Sequence, residues 1–339
     1  MKYSPPWWLK SGLSMTLYAA LGMSRTWEKY TIEPEPVYQE HIFTGDGGVP
    51  IFGIFAIPPN PKGTIVATYG ITGTLENQWF LRILGRKAYD RGYAVVLFDW
   101  RAHGKTAELS PQLTSDGIHE GEDFVQIARQ SVQLGCPAPI WLFGYSLGGQ
   151  LALWGVKAGE NVPEIAGGMV ICPSLESDRS LTYLMAHPLG KYLERAISKE
   201  LRKLAWGMHH HHPTEFDPQA IDRATTIWGF DRELVIPRLG FNTVKDYYAA
   251  TSPLYFLEHL TKPVLIIYAA DDPLFDPTLA GELADIADHR SNLDVLLTPH
   301  GGHVGHISSK TYQKLNIDRD PWWSLNRVLE WIEELSNNK

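Results

Sequence analysis

The chain has 339 residues, of which 44% are hydrophobic and 20% are charged, and its formal net charge is −8. This length suits one large α/β domain with an insertion or two modest domains, and the acidic balance without any run of five basic residues argues against a nucleic-acid partner. Cys136 and Cys172 are the two cysteines. They exclude a disulfide framework and a cysteine-based zinc site, and they predict a reducing, cytoplasmic location.

Residues 1–36 are predicted to form an N-terminal arm that packs on the core. The apolar stretch 7–23 is too short to span a membrane and is interrupted by Lys10 and by small polar residues. It also lacks the cleavage pattern of a signal peptide. Trp7, Trp8 and Trp27 cluster in this arm. Packing on the protein is the preferred interpretation, and peripheral contact with a membrane is the alternative.

From residue 37 onward, short apolar runs alternate with helical patterns. The runs predict strands at 49–57, 64–69, 94–98, 140–143, 165–172, 264–270 and 293–298. Helical spacing predicts helices at 77–90, 117–134, 147–157, 279–287 and 322–335. This alternation is typical of a mostly parallel sheet with helices on both faces.

The alternation stops between residues 175 and 252, where helical stretches occur without a buried strand. We therefore expect a core of residues 37–174 and 253–339 that is interrupted by a helical cap, residues 175–252. Aromatic residues of the cap either line an acyl pocket or merely pack the cap: Trp206, Trp228, Phe230, Tyr247 and Tyr248. The run His209 to His212 is interpreted as a polar surface, because four consecutive helical side chains point around the whole helix and at most two of them could share one metal ion.

The strongest motif is the sequence Gly-Tyr-Ser-Leu-Gly at 144–148, which matches G-x-S-x-G. A predicted strand precedes it and a predicted helix follows it. In that context the serine lies on a strained turn at the carboxyl end of the sheet, with its hydroxyl exposed. The motif predicts Ser146 as a catalytic nucleophile, with the positive end of the helix dipole beside it.

A serine nucleophile needs a histidine base and a carboxylate that orients it, in the chain order serine, acid, histidine. Candidate acids follow the strand at 264–270. Asp276 precedes Pro277, as at the start of a helix, and is interpreted as structural. The spacing alone does not decide whether Asp271 or Asp272 is the acid.

Three histidines compete for the role of the base in the loop after the strand at 293–298. They are His300, His303 and His306. His303 is favoured because Gly302 precedes it, which leaves room for the ring to approach Ser146.

An oxyanion hole requires two backbone donors. The N–H of Leu147, directly after the nucleophile, is the first. The loop Tyr-Gly-Ile-Thr-Gly at 69–73 follows the strand at 64–69 and offers the N–H of Ile71 as the second. Gly70 allows the backbone to come close to the substrate.

The motifs GYSLGG, AADDP and HGGHVG together resemble the YheT-like branch of the α/β-hydrolases, and so does the opening YSPPWWLKSGLSMT. The resemblance covers most of the chain. It implies an α/β-hydrolase fold with a helical lid and an activity on esters or lipids. Matched motif by motif, it implies Ser146 as nucleophile, Asp272 as acid and His303 as base.

The chain departs from that branch at two positions. Tyr69-Gly70 stands where the branch usually has His-Gly, and Ser11-Gly12-Leu13 stands where it usually has Asn-Gly-His. The departure at Tyr69-Gly70 does not affect the predicted oxyanion hole, because the donors there are backbone groups. The second puts in doubt any role that the branch's N-terminal histidine has.

These observations predict a serine hydrolase of carboxylic esters, with short- to medium-chain acyl or lipid esters as small-molecule substrates. No cofactor or metal is needed for this chemistry. The same triad also serves thioesterases, amidases and acyltransferases. A non-catalytic binding protein is the alternative from another class. The oligomeric state, the acyl length and the lid motion cannot be read from the sequence.

Overall fold

The computed structural model describes residues 3–316 and 318–337. Its centre is an eight-stranded sheet in the order β1-β2-β4-β3-β5-β6-β7-β8. Strands β3 to β8 are parallel, whereas β1 pairs antiparallel with β2, and β2 pairs antiparallel with β4. The strands are β1 Gln39–Thr44, β2 Pro50–Ala56, β3 Thr64–Ala67, β4 Ala94–Phe98, β5 Ile140–Tyr145, β6 Ile165–Ile171, β7 Val264–Ala269 and β8 Leu293–Thr298.

Fourteen α-helices are assigned within the described residues. They are α1 Gly12–Leu17, α2 Trp79–Asp90, α3 Gly104–Leu109, α4 Ile118–Gln133, α5 Leu147–Ala158, α6 Ser177–Ala186, α7 Pro188–His211, α8 Pro218–Arg223, α9 Ile227–Phe230, α10 Ile236–Leu239, α11 Val244–Thr251, α12 Thr278–Asp288, α13 Lys310–Asn316 and α14 Trp323–Asn337. None is long and apolar enough to cross a bilayer. The pattern of apolar residues placed most of the core elements to within two residues.

The strand that the sequence pattern did not predict is β1. Five of its six side chains are exposed or half-exposed, and Phe43 alone is fully buried. An edge strand of this kind carries no apolar run, so hydrophobicity cannot reveal it. It is held in place by its backbone pairing with β2.

Helices cover both faces of the sheet. On β5, the ring of Trp141 meets that of Trp331 in α14 with their centroids 5.5 Å apart. The next residue, Leu142, faces Gly155 in α5. Because consecutive strand residues point to opposite faces, α14 and α5 lie on opposite sides. The parallel strands also bring the loops that follow β3, β5, β7 and β8 to one edge of the sheet.

Residues 175–252 form α6 to α11, with no strand among them. Their apolar side chains build a hydrophobic cluster of their own, which Ala102 and Leu113 join from loops of the core. The boundaries of the cap stay a prediction. The cluster explains how the segment folds over the core without adding to the sheet.

The arm lies against the core along much of its length. Leu9, Met15 and Trp27 are buried. The guanidinium groups of Arg82 and Arg86 in α2 each lie 5.0 Å from the ring centroid of Trp27. Such cation–π contacts and apolar burial attach the arm to the core.

Candidate active site

Ser146 lies on the turn between β5 and α5, with φ 55° and ψ −131°. This left-handed backbone is rare for a residue with a side chain and lifts the hydroxyl out of the helix. The turn is tightly packed, since a Cβ on Gly148 would stand 2.3 Å from the carbonyl oxygen of Tyr69. The local sequence therefore dictates both the turn and the exposure of the serine.

His303 and Asp272 are within hydrogen-bond distance of one another and of the serine. The Ser146 Oγ lies 2.8 Å from the His303 Nε2. The His303 Nδ1 lies 2.8 Å from the Oδ2 of Asp272, whose other oxygen accepts the N–H of Leu274. With the proton on Nδ1, His303 donates to the carboxylate and accepts from the serine hydroxyl. The side chains come from loops after β5, β7 and β8, which meet at the same edge of the sheet.

Asp271 points elsewhere. Its Oδ1 accepts the backbone N–H of Gly302 at 2.9 Å, and its Oδ2 lies 3.6 Å from the Nδ1 of His300. Burial raises the pKa of this carboxyl. Asp276 accepts the N–H of Thr278 at the start of α12. The structure thus brings Asp272 to His303, while Asp271 supports the backbone of the histidine loop.

The other two histidines of that loop do not contact the serine. His306 is fully buried, with its Nε2 3.1 Å from the Oγ1 of Thr298. Burial lowers the pKa of His306 to about 4, so this ring is neutral at physiological pH. His300 is half-exposed and faces Asp271.

The predicted oxyanion donors lie beside the serine. A Cβ on Gly70 would stand 2.9 Å from the Cβ of Ser146, so the loop after β3 touches the nucleophile. Within residues 3–316 and 318–337, the N–H groups of Ile71 and Leu147 have no hydrogen-bond acceptor. Two free donors next to a serine hydroxyl are what a developing oxyanion requires.

A model of the alpha/beta hydrolase family matches residues 73–312 of this chain. The chain belongs to the alpha/beta hydrolase family. Solved structures agree on the fold: this chain aligns with the esterase Pf2001 of Pyrococcus furiosus at a TM-score of 0.56 and 18% identity, over 88% of this chain and 92% of that one.

Relatives of this hydrolase carry names of ester-cleaving enzymes. It is 51% identical to the Synechocystis sp. protein named "Putative esterase slr0264", over 99% of this chain and 95% of that protein. It is 27% identical to "Phospholipase ABHD3" of Mus musculus over 91% and 76% of the two chains. It is 24% identical to "Monoacylglycerol lipase ABHD2" of Homo sapiens over 90% and 74%. The chain is an ester hydrolase of this family.

A cavity opens beside Ser146 in this hydrolase, between the core and the cap. Its walls are mostly aliphatic or aromatic. The core supplies Ile71, Trp100, Ala102, Leu113, Leu147, Leu274 and Phe275, and the cap supplies Leu181, Leu184, Ile197, Leu201, Leu204, Ile227, Phe230 and Tyr248. A wall of this kind accommodates a hydrocarbon chain.

The five cap aromatics divide into three groups. Phe230 and Tyr248 line the cavity. Tyr247 is fully buried within the cap cluster, and Trp228 packs against that cluster. Trp206 lies at the surface of the cap, where it is 38% exposed. Two of the five aromatics are therefore in a position to contact a substrate.

Two residues outside the predicted site hold the loop after β3, which carries the predicted oxyanion donor Ile71. Asp99, directly after β4, accepts the Tyr69 hydroxyl and the N–H of Leu75. His103 accepts the N–H of Thr72 at 3.1 Å, and burial lowers the pKa of this histidine to about 4. A neutral ring is needed here, because its Nε2 acts as an acceptor. Their position at the carboxyl end of a buried strand is the signal that marks them.

The N-terminal arm also contacts the loop that carries His303. The backbone N–H of His303 donates to the Oγ1 of Thr16 at 2.8 Å, and the Thr16 hydroxyl donates to the carbonyl of Gly12 at 2.7 Å. A Cβ on Gly12 would stand 1.7 Å from the carbonyl oxygen of Asp271. Close approach of α1 to the loop after β7 thus requires glycine at position 12. Nothing in the spacing of the sequence pairs residue 16 with residue 303.

A pair of buried carboxyls, Asp116 and Asp231, lines the same cavity. Burial and the nearby charge of Glu120 raise the pKa of Asp116 to about 7. Burial and the charge of Asp116 raise the pKa of Asp231, which accepts the Tyr248 hydroxyl. No lysine or arginine in the described ranges forms an ion pair with either. One carboxyl comes from the core and the other from the cap.

The run at 209–212 ends α7. The Nδ1 of His209 lies 3.0 Å from the carbonyl of Phe216, and the Nε2 of His212 lies 3.0 Å from that of Ala107. Both rings therefore bond to backbone oxygens. Across residues 3–316 and 318–337, no three potential ligands of the His, Cys, Asp and Glu types are grouped for a metal ion.

Proposed function

We propose that this hydrolase cleaves carboxylic esters with an apolar acyl chain through a Ser146–His303–Asp272 triad. The observation that carries the proposal is the pair of 2.8 Å contacts that joins the three side chains in one line. The apolar cavity beside Ser146 supports a hydrocarbon acyl group. Relatives named as a phospholipase and a monoacylglycerol lipase support a lipid ester.

The first half-reaction forms an acyl-enzyme. The Ser146 Oγ attacks the ester carbonyl as His303 removes its proton, and Asp272 stabilises the imidazolium and holds its tautomer. The N–H groups of Ile71 and Leu147 donate to the oxyanion. His303 then returns the proton to the departing alcohol.

The second half-reaction regenerates the enzyme. Water loses a proton to His303 and attacks the acyl-enzyme carbonyl. Collapse of the second tetrahedral intermediate releases the carboxylic acid, and the proton returns to the Ser146 Oγ. The cycle consumes one ester and one water, and it returns Ser146 and His303 to their starting states.

The test is labelling with a fluorophosphonate probe together with hydrolysis of p-nitrophenyl esters of graded acyl length. We expect wild-type protein to be labelled and Ser146→Ala to be unlabelled, with kcat lower by at least about 10⁴-fold in the variant. Rates on thioesters of the same acids measure the preference for the leaving group. Equal labelling of a folded Ser146→Ala variant would overturn the nucleophile assignment.

A further inference from the structure

The N-terminal arm has an outer face that is apolar, although it is turned to solvent. From Gly12 the chain continues helically through residue 25, first as α1, then as a wider π-helical turn and finally as a tighter 3-10 turn. The inner stripe of Met15, Ala19 and Met23 is buried against the core. The opposite stripe holds Leu17 and Leu21, which are exposed. A surface helix ordinarily carries polar residues on its outer face, so this arrangement is unusual.

Two tryptophans extend the apolar surface beyond the helix. Trp7 is 83% exposed and Trp8 is 47% exposed, and they are among the largest exposed apolar side chains described. The ring of Trp8 meets that of Tyr18 edge-on, with centroids 4.8 Å apart. This contact connects Trp8, and with it the adjacent Trp7, to the helix. We call Trp7, Trp8, Leu17 and Leu21 the arm patch.

Basic residues border the arm patch. No acidic or basic residue occurs from 11 to 24, and Lys10 and Arg25 stand at the two ends of this stretch. Residues 3–30 contain three basic and one acidic side chain, whereas the whole chain has a net charge of −8. An apolar face with tryptophan and flanking basic residues matches the chemistry of an anionic bilayer surface.

A second copy of the chain fits the patch less well. In a two-fold contact the same patch faces itself, which brings like-charged Lys10 and Arg25 side chains of both copies to one interface. Phospholipid headgroups supply the opposite charge. We therefore propose that the arm patch docks this hydrolase on an anionic lipid surface, with the apolar side chains at the depth of the headgroups.

Docking would use the helix that also holds the histidine loop. Thr16 and Gly12, on the inner side of this helix, contact His303 and Asp271. The outer side faces the lipid. A hydrolase attached in this way has its catalytic loop next to the surface that supplies apolar esters. The proposal concerns binding and stands without the catalytic assignment.

The test is flotation of the full chain with vesicles of phosphatidylcholine mixed with phosphatidylglycerol, and with vesicles of phosphatidylcholine alone. We expect tighter binding to the mixed vesicles. Leu17→Gln combined with Leu21→Gln is expected to lower the bound fraction at least about tenfold, because apolar contact with lipid is lost. Lys10→Gln combined with Arg25→Gln is expected to weaken binding to the mixed vesicles several-fold.

The matched control removes exposed apolar side chains from the cap. Leu189 and Tyr192 in α7 are 45% and 70% exposed, and Leu189→Gln with Tyr192→Gln should leave binding unchanged. Hydrolysis of a short soluble ester should be the same in all variants, which shows that they are folded. No binding of wild-type protein, or no preference for anionic vesicles, overturns the proposal. A dimer that the Leu17/Leu21 variant dissociates would reassign the patch to a second copy.

Discussion

The cap and the N-terminal arm both reach the site at the edge of the sheet, but they contact it through different chemistry. The cap supplies apolar walls such as Leu181 and Phe230 to the cavity. The arm supplies a hydroxyl, Thr16, that accepts the backbone N–H of His303. We therefore expect the cap to decide which ester enters the cavity, and the arm to decide how firmly the loop of His303 is held.

The largest expected effect comes from a change in the core itself, the removal of the Asp272 carboxylate, which belongs to neither the cap nor the arm. We expect Asp272→Asn to lower kcat by about 10³- to 10⁴-fold, since the amide cannot stabilise the imidazolium. Asp271→Asn is the matched control, because this residue bonds to Gly302 and not to the His303 ring. Asp271→Asn should lower kcat by less than about tenfold. Equal losses measured by steady-state kinetics would contradict the choice between the two aspartates.

A change in the arm should affect the rate with little effect on substrate binding. Thr16→Val removes the acceptor of the His303 N–H, and we expect kcat to fall about five- to tenfold with KM nearly constant. Thr16→Ser keeps the hydroxyl and should restore most of the rate. If valine and serine variants lose activity equally, or if KM changes instead of kcat, Thr16 does not position the base.

A change in the cap should affect the selectivity for acyl length without slowing the catalytic steps. Leu181 lines the cavity, and Leu181→Phe fills part of it. We expect kcat/KM for long acyl esters to fall by about tenfold or less, while the shortest ester is hydrolysed as before. Trp206→Leu is the control, because Trp206 lies on the surface of the cap. A uniform loss on all chain lengths would contradict a role of the cap in selecting the acyl group.

The smallest effect is expected where the cap meets the core, at Asp116 and Asp231. The pKa of Asp116 is raised to about 7 by burial first and by Glu120 second. The folded protein therefore holds this proton more tightly than the unfolded chain, and the free energy of unfolding decreases as pH rises from about 4 to about 7.

Asp116→Asn removes the part of this pH dependence that comes from Asp116, while Asp231 stays buried and still titrates. The variant should melt about 3 °C or more above wild type at pH values above about 7, and the difference should shrink towards pH 4. Thermal unfolding over this pH range checks both the size and the sign of the difference in melting temperature. A variant that is less stable than wild type at high pH would show that the carboxylate is needed for the fold.

Much of the core could be predicted from local patterns. Strand β4 was expected at residues 94–98 and is found there, because five consecutive apolar residues are buried on both faces of a sheet. The orientation of side chains in the cap was harder to predict. Its helices are amphipathic, so the pattern predicts helices but does not say which aromatic side chains face the cavity and which face each other.

The local sequence determined the turn that carries Ser146, since Gly144 and Gly148 with their flanking strand and helix act within a few residues. It also determined the alternation of buried strands and helices. Tertiary packing brings together residues that are far apart in the chain: it pairs Asp272 rather than Asp271 with His303, places Asp99 and His103 against the loop after β3, and joins Thr16 to residue 303. These contacts depend on the order of the strands in the sheet and on the packing of the arm, which no local pattern of residues encodes.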